Sequence, residues 1–283
     1  MNDALSPIAF AVFSWWIGTG LVFIAERAVR ERTQAALSVI FAAAVLSLFG
    51  VVQSSVSTQA SGAYLAFASS IGLWGALELS FLTGLVTGPR LRPSTRNCGM
   101  ARRFGQAVMA LLYHELGLIA VGVLVVAICW HQPNPTAACT YTLLWVMRES
   151  AKLNLFLGVR NSAVELLPRR LAHLGSYFGQ RKVNLLLPVS IVAATVADVA
   201  LVRHALSITA TPQENVGALL LATLLALAIL EHIVLVLPIR ADALWIWATK
   251  RNGKSETPAD GRVAQRRVAE PEVVAARSAP AIP

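Results

Sequence analysis

Ten ionisable or amide side chains interrupt stretches that are otherwise apolar: Glu78; His114 and Glu115; Arg148, Glu149, Lys152 and Asn154; Asp198; and Glu231 and His232. Such groups are costly in hydrocarbon and tend to face one another or a cavity. Glu78, Glu115, Glu149 and Glu231 fall about 9–17 Å from the arginine-rich ends of their segments at 1.5 Å per residue. His114, Lys152 and His232 share that level, so four segments offer acid, base and imidazole in one layer.

Several chemistries are open to this set. Glu149 and Lys152, three residues apart, share a helix face and can pair. The remaining groups can complete a buried hydrogen-bonded network that fixes helix packing. Carboxylates and imidazoles from four helices are also the raw material of a di-iron carboxylate centre. That template uses Glu-x-x-His on one face, whereas His114–Glu115 and Glu231–His232 are adjacent pairs pointing about 100° apart. A neutral histidine inside a helix can ligate the central metal of a tetrapyrrole, and His114 and His232 are the two histidines well inside apolar segments. A transporter using Glu149 and Lys152 as a gated pair is a further reading. No inverted repeat supports it.

The elements that position these residues are membrane helices. A span needs about 20 mostly apolar residues, and seven stretches qualify, at 7–25, 35–54, 62–86, 104–130, 137–158, 183–202 and 216–237. The fifth is the least apolar, and Pro188 predicts a kink in the sixth. The expected fold is therefore all-α and polytopic, with a membrane domain at 1–248 and a disordered basic tail at 249–283. Trp245 and Trp247 read as an interfacial anchor before that tail. No Lys or Arg precedes the first stretch, while Glu26 and Arg27 follow it, so it reads as a helix rather than a cleaved leader.

The composition agrees: 56% of the 283 residues are hydrophobic and 14% charged, against about 25% charged in soluble domains. The net charge of +9 has a membrane explanation rather than a nucleic-acid one. Of the 24 Lys and Arg residues, 21 lie in alternate connections and the tail; Arg203 alone lies in the others, and Arg148 and Lys152 lie within a helix. That alternation is the positive-inside pattern, with the N-terminus outside and the C-terminus inside. The basic rim then faces anionic lipid head groups.

The long connection 159–182 spaces Leu166, Leu167, Leu171, Leu174, Tyr177 and Phe178 at three and four residues, with basic residues between. It predicts an amphipathic helix lying on the membrane, with partner docking as the alternative. Cys98, Cys129 and Cys139 have no metal-ligand spacing. Cys129 and Cys139 flank one short connection and read as small apolar residues. No phosphate-binding loop, dinucleotide fingerprint, zincin motif or nucleophile elbow is present. Gly84 and Gly88 form a Gly-x-x-x-Gly pair suited to helix packing.

Three stretches together carry a resemblance: ELSFLTGLVTGPR from Glu78 to Arg90, His114–Glu115, and KLNLFLGVRN from Lys152 to Asn161, continuing to Glu165–Pro168 and Ser176–Phe178. The sequence resembles the PuhE family of photosynthetic complex assembly proteins of purple bacteria. It departs from that pattern at Arg160, where proline is common, and at Arg169–Arg170. The resemblance implies a multi-spanning protein of the bacterial inner, photosynthetic membrane. It would help assemble the reaction centre and antenna or tune bacteriochlorophyll supply, with reaction-centre or antenna subunits as partners. On that footing His114 and His232 are candidate ligands for bacteriochlorophyll or a precursor. Glu78, Glu115 and Glu231 would orient them or bond pigment carbonyls. A metal-dependent oxidoreductase of tetrapyrrole synthesis using the same layer is the enzymatic alternative.

The orientation has a direct check. Alkaline phosphatase fused within 55–61 or 131–136 should be active, and fused after residue 182 inactive. The reverse pattern would invert the topology.

Overall fold

The computed structural model describes residues 2–29, 31–95, 98–162, 164, 167–207 and 209–237, and seven long α-helices run through these described residues. They are α1 (Asn2–Val29), α2 (Thr33–Ser55), α3 (Ala60–Leu82), α4 (Met100–Cys129), α5 (Thr136–Leu157), α6 (Leu186–Ala205) and α7 (Pro212–Val234). A 3-10 helix, Arg169–Tyr177, lies between α5 and α6. Among the described residues there is no strand.

Six helices are long and apolar enough to cross a membrane; α5 is the exception, with Arg148, Glu149 and Lys152 within its 22 residues. Its neighbour settles its path. The Tyr141 hydroxyl donates to the Leu118 carbonyl of α4 (2.8 Å), and Arg103 Nη2 donates to the Phe156 carbonyl (3.0 Å). These contacts sit 15 residues apart on both helices, so α5 runs antiparallel to α4 for about 22 Å. It traverses the same layer as α4, enclosed by α3, α4 and α7.

α3 is the hub, touching α1, α2, α4, α5 and α7. Small residues let it approach α2 closely: a Cβ on Gly50 would lie 2.1 Å from Ser69 Oγ, and one on Gly72 would lie 2.5 Å from Ser47 Oγ. Close backbone approach of this kind is how helices associate where no hydrophobic gain separates lipid from protein. Phe67, Leu220 and Leu224 fill the space between α1, α3 and α7. Outside, Phe41, Leu46, Val123 and Val196 present apolar surface far too extensive for water.

The helix ends follow local chemistry. α7 opens with a capping box: Glu214 N donates to Thr211 Oγ1 (3.2 Å), and Thr211 N donates to Glu214 Oε2 (2.8 Å). α3 stops at Leu82, and Gly84 takes φ +73°, a conformation glycine adopts without strain.

Three expectations change, and the reading of Cys129 and Cys139 as unpaired residues does not. Pro188 falls in the first turn of α6, where its missing N–H had no acceptor to lose, so it produces no interior kink. Gly84 and Gly88 lie beyond α3; a Cβ on Gly88 would lie 2.3 Å from the Met109 carbonyl, so it serves close packing of a loop on α4. The 159–182 connection forms a nine-residue 3-10 helix, and Leu171, Leu174 and Tyr177 pack on Phe81 and Ala110 rather than on lipid. Cys129 and Cys139 are free thiols. The tail 249–283, Trp245 and Trp247, and Glu165–Leu166 lie outside the described residues.

Candidate functional site: a polar layer organised by α5

Helical spacing aims the polar residues of α5 at three neighbours. Arg148 faces α3, with Nε and Nη2 each 3.5 Å from a Glu78 carboxylate oxygen. Lys152 faces α4 and pairs with Glu115 (2.6 Å) while also holding Glu149 on its own helix (2.8 Å). Ser150 faces α7, with its Oγ 2.9 Å from His232 Nε2. The second ring nitrogen, Nδ1, lies 2.9 Å from the Ala228 carbonyl. A carbonyl only accepts, so Nδ1 carries the proton and Nε2 accepts from the Ser150 hydroxyl.

His232 is 1% exposed and has a bond on each nitrogen. His114 is 2% exposed and stacks on Phe81 with ring centroids 4.5 Å apart. Its backbone N–H donates to the Thr87 carbonyl of the loop that follows α3 (2.9 Å). Both imidazoles therefore face protein. α7 ends at Val234, which puts Glu231 and His232 in its last turn rather than deeper in the span. Glu231 is exposed on the outside of the bundle, within electrostatic reach of Arg148, whose side chain is 49% exposed. Asp198 stands apart on α6. No group of three or more metal-ligating side chains converges among the described residues, so the di-iron template has no counterpart there.

Just beyond this layer, side chains close the helix ends. A helix terminus leaves carbonyls without partners, and in a membrane no water replaces them. Arg170 Nη1 donates to the Thr83 carbonyl after α3. Asn184 Nδ2 donates to the Asn154 and Gly158 carbonyls of α5 (3.3 and 3.0 Å), and its Oδ1 accepts from Leu187 N at the start of α6 (3.1 Å). Asn161 N and Nδ2 donate to the Leu235 and Val234 carbonyls of α7 (2.9 and 3.3 Å). Asn154, fully buried, donates to the Ser150 carbonyl (2.9 Å). Gly158 takes φ +112°, and a Cβ there would lie 2.6 Å from Arg181 N. The stretch from Lys152 to Asn161 thus supplies a charge pair, a buried amide, a turn without a side chain and a cap, in that order.

The family of proteins of unknown function DUF3623 matches residues 1–256. The chain belongs to this family. This DUF3623 chain is 36% identical over 251 residues to an uncharacterised 30.4 kDa protein in the puhA 5' region of Rhodobacter capsulatus. The match covers 87% of this chain and 91% of that one. No solved structure matches.

Sequence reasoning identified Glu78, Glu115, Glu149 and Lys152, which the DUF3623 fold brings into ion pairs. It placed Arg148 in the fifth span without a partner. It missed Ser150, Arg103, Arg170 and Asn184, because a serine in a helix, an arginine in a helix's first turn and basic or amide residues between helices carry no periodic signal. The layer holds four carboxylates (Glu78, Glu115, Glu149, Glu231) and two cations (Arg148, Lys152). Full ionisation would leave it negative, which hydrocarbon opposes. Neutrality requires protons on carboxylates or a cationic group from outside.

Arg148→Met should strand the Glu78 carboxylate and lower stability by about 1–3 kcal/mol. The double variant Arg148→Met/Glu78→Leu should regain much of that loss. Thermal unfolding in detergent reads both; equal stability of wild type and Arg148→Met would remove the pair's role.

Proposed function

We propose that this protein is a non-enzymatic assembly factor of a photosynthetic pigment–protein complex, inserted in the bacterial inner membrane with its N-terminus outside and C-terminus inside. The observation that carries this reading is the relative at 36% identity, named for its position in the puhA 5' region of a purple bacterium, a photosynthesis gene region.

Two physical features favour it. The charges of α5 are largely consumed by helices of the same chain, as expected of a scaffold. Glu231, exposed on the bundle surface, suits a basic group on a helix of a reaction-centre or antenna subunit. On the inner side, the 3-10 helix spends its apolar face on α3 and α4. It leaves Arg169, Arg181 and Lys182 exposed for an acidic partner surface. His173 adds no charge there, because burial pushes its imidazole below the ordinary range. Delivery of bacteriochlorophyll or a precursor belongs to the same reading. His114 and His232 enter it only if a pigment-bound state frees their rings.

Deleting the gene in a phototrophic host should reduce the reaction-centre and antenna absorption bands, while the free pigment stays chemically normal. Restoring the wild-type gene should recover them, and Glu231→Gln should recover them less well. Unchanged bands would contradict the proposal. Accumulation of a chemically altered pigment, with stoichiometric iron or manganese in the purified protein, would instead mark an oxidoreductase.

A further inference from the structure

A recess of about 490 Å³ opens at the arginine-rich end of α4, lined by Pro89, Arg90, Arg102, Gly105, Gln106 and Met109. We infer that it seats the phosphate of an anionic phospholipid, whose acyl chains lie along the outer face of α4. The inference does not depend on the proposed function.

The walls are built. Arg90 is fixed from two sides: its Nε donates to the Tyr177 hydroxyl (2.8 Å), and its Nη2 donates to the Pro93 carbonyl (2.9 Å). Tyr177 is buried and in turn donates to the Arg92 carbonyl (2.6 Å). Two of the five guanidinium N–H groups of Arg90 are thereby used, and three remain. Gln106 is held as well: its Oε1 accepts from Thr95 N (3.0 Å), and its Nε2 donates to Thr95 Oγ1 (2.9 Å). Arg102 is exposed and makes no hydrogen bond or ion pair among the described residues. A Cβ on Gly105 would meet nothing within 4 Å, so the floor between Arg102 and Met109 is bare. Two guanidinium groups, one held and one open, around a bare floor suit a phosphate.

The sequence of α4 says what is attached to that phosphate. Arg102, Gly105, Met109, Tyr113 and Leu116 recur at three- and four-residue spacing and so share one helix face. Met109, Tyr113 and Leu116 are among the exposed large apolar residues, while Ala110, His114 and Leu118 are buried. The outward stripe therefore reads cation, gap, then apolar surface, over about 21 Å. Half of a hydrocarbon core of about 30 Å is about 15 Å, so the stripe matches a head group and one leaflet's chains. A free phosphate would use only its upper end.

The test is lipid binding by the full chain purified in mild detergent, followed by native mass spectrometry and thermal unfolding. Phosphatidylglycerol should bind and raise the melting temperature, and phosphatidylcholine should do neither. Arg102→Ala should weaken phosphatidylglycerol binding about fivefold, without changing the lipid-free melting temperature, because Arg102 has no partner to lose. Arg102→Lys should retain most of the binding. Equal binding of phosphatidylcholine, or unchanged affinity in Arg102→Ala, would overturn the inference. Inorganic phosphate giving the same stabilisation as phosphatidylglycerol would overturn it too, by making the recess a site for a free anion.

Discussion

The hydrocarbon layer contains no water to solvate a charge, so every ionised side chain that enters it must find its counter-charge in protein. α5 carries Arg148, Glu149 and Lys152 into that layer, and it does not cross on its own hydropathy. It is held among the apolar helices, where α3 and α4 present Glu78 and Glu115 at the matching level and α7 presents His232 to Ser150. The arrangement of the inner helices around α5 follows from those requirements. α1, α2, α4 and α6 keep most of their surface outward, facing lipid.

A second constraint acts at the ends of the same helices. α3, α5 and α7 all finish on the arginine-rich side, where their last carbonyls need donors. The chain supplies them from residues distant in sequence: Arg170 for α3, Arg103 and Asn184 for α5, and Asn161 for α7. The connection between α5 and α6 is thus a lid that satisfies backbone, and its 3-10 helix is pinned by Leu171, Leu174 and Tyr177 on α3 and α4. Tyr177 links this lid to Arg90, so the recess at the end of α4 inherits its rigidity from the same packing.

Much of this was legible in the sequence. Runs of about 20 apolar residues located six of the helices to within about five residues, because length and hydropathy act locally, and α5 followed from a stretch that its own charges interrupt. The polar layer was legible for the same reason: Glu78, Glu115 and Lys152 stand out against Leu, Ala and Val. Pairing was harder to read. Which carboxylate Lys152 would choose depends on helix rotation, and Arg148 to Glu78 joins residues 70 apart. The 159–182 periodicity was real, but amphipathicity does not say whether lipid or protein covers the apolar side. Gly84 and Gly88 matched a helix-packing spacing yet serve a turn and a loop contact, because the helix ended first. The histidines looked like ligands because only a structure reveals Phe81 against one and Ser150 against the other.

If counter-charge pairing holds α5 in the bundle, exchanging the two charges must preserve the fold. Thermal unfolding of Glu115→Lys, Lys152→Glu and the double exchange in detergent measures this directly. Each single change should destabilise strongly, by placing like charges together near Glu149. The double exchange should recover stability beyond the sum of the singles by about 1 kcal/mol or more. Additive effects would show that the ion pair does not hold α5, and that packing alone accounts for its place.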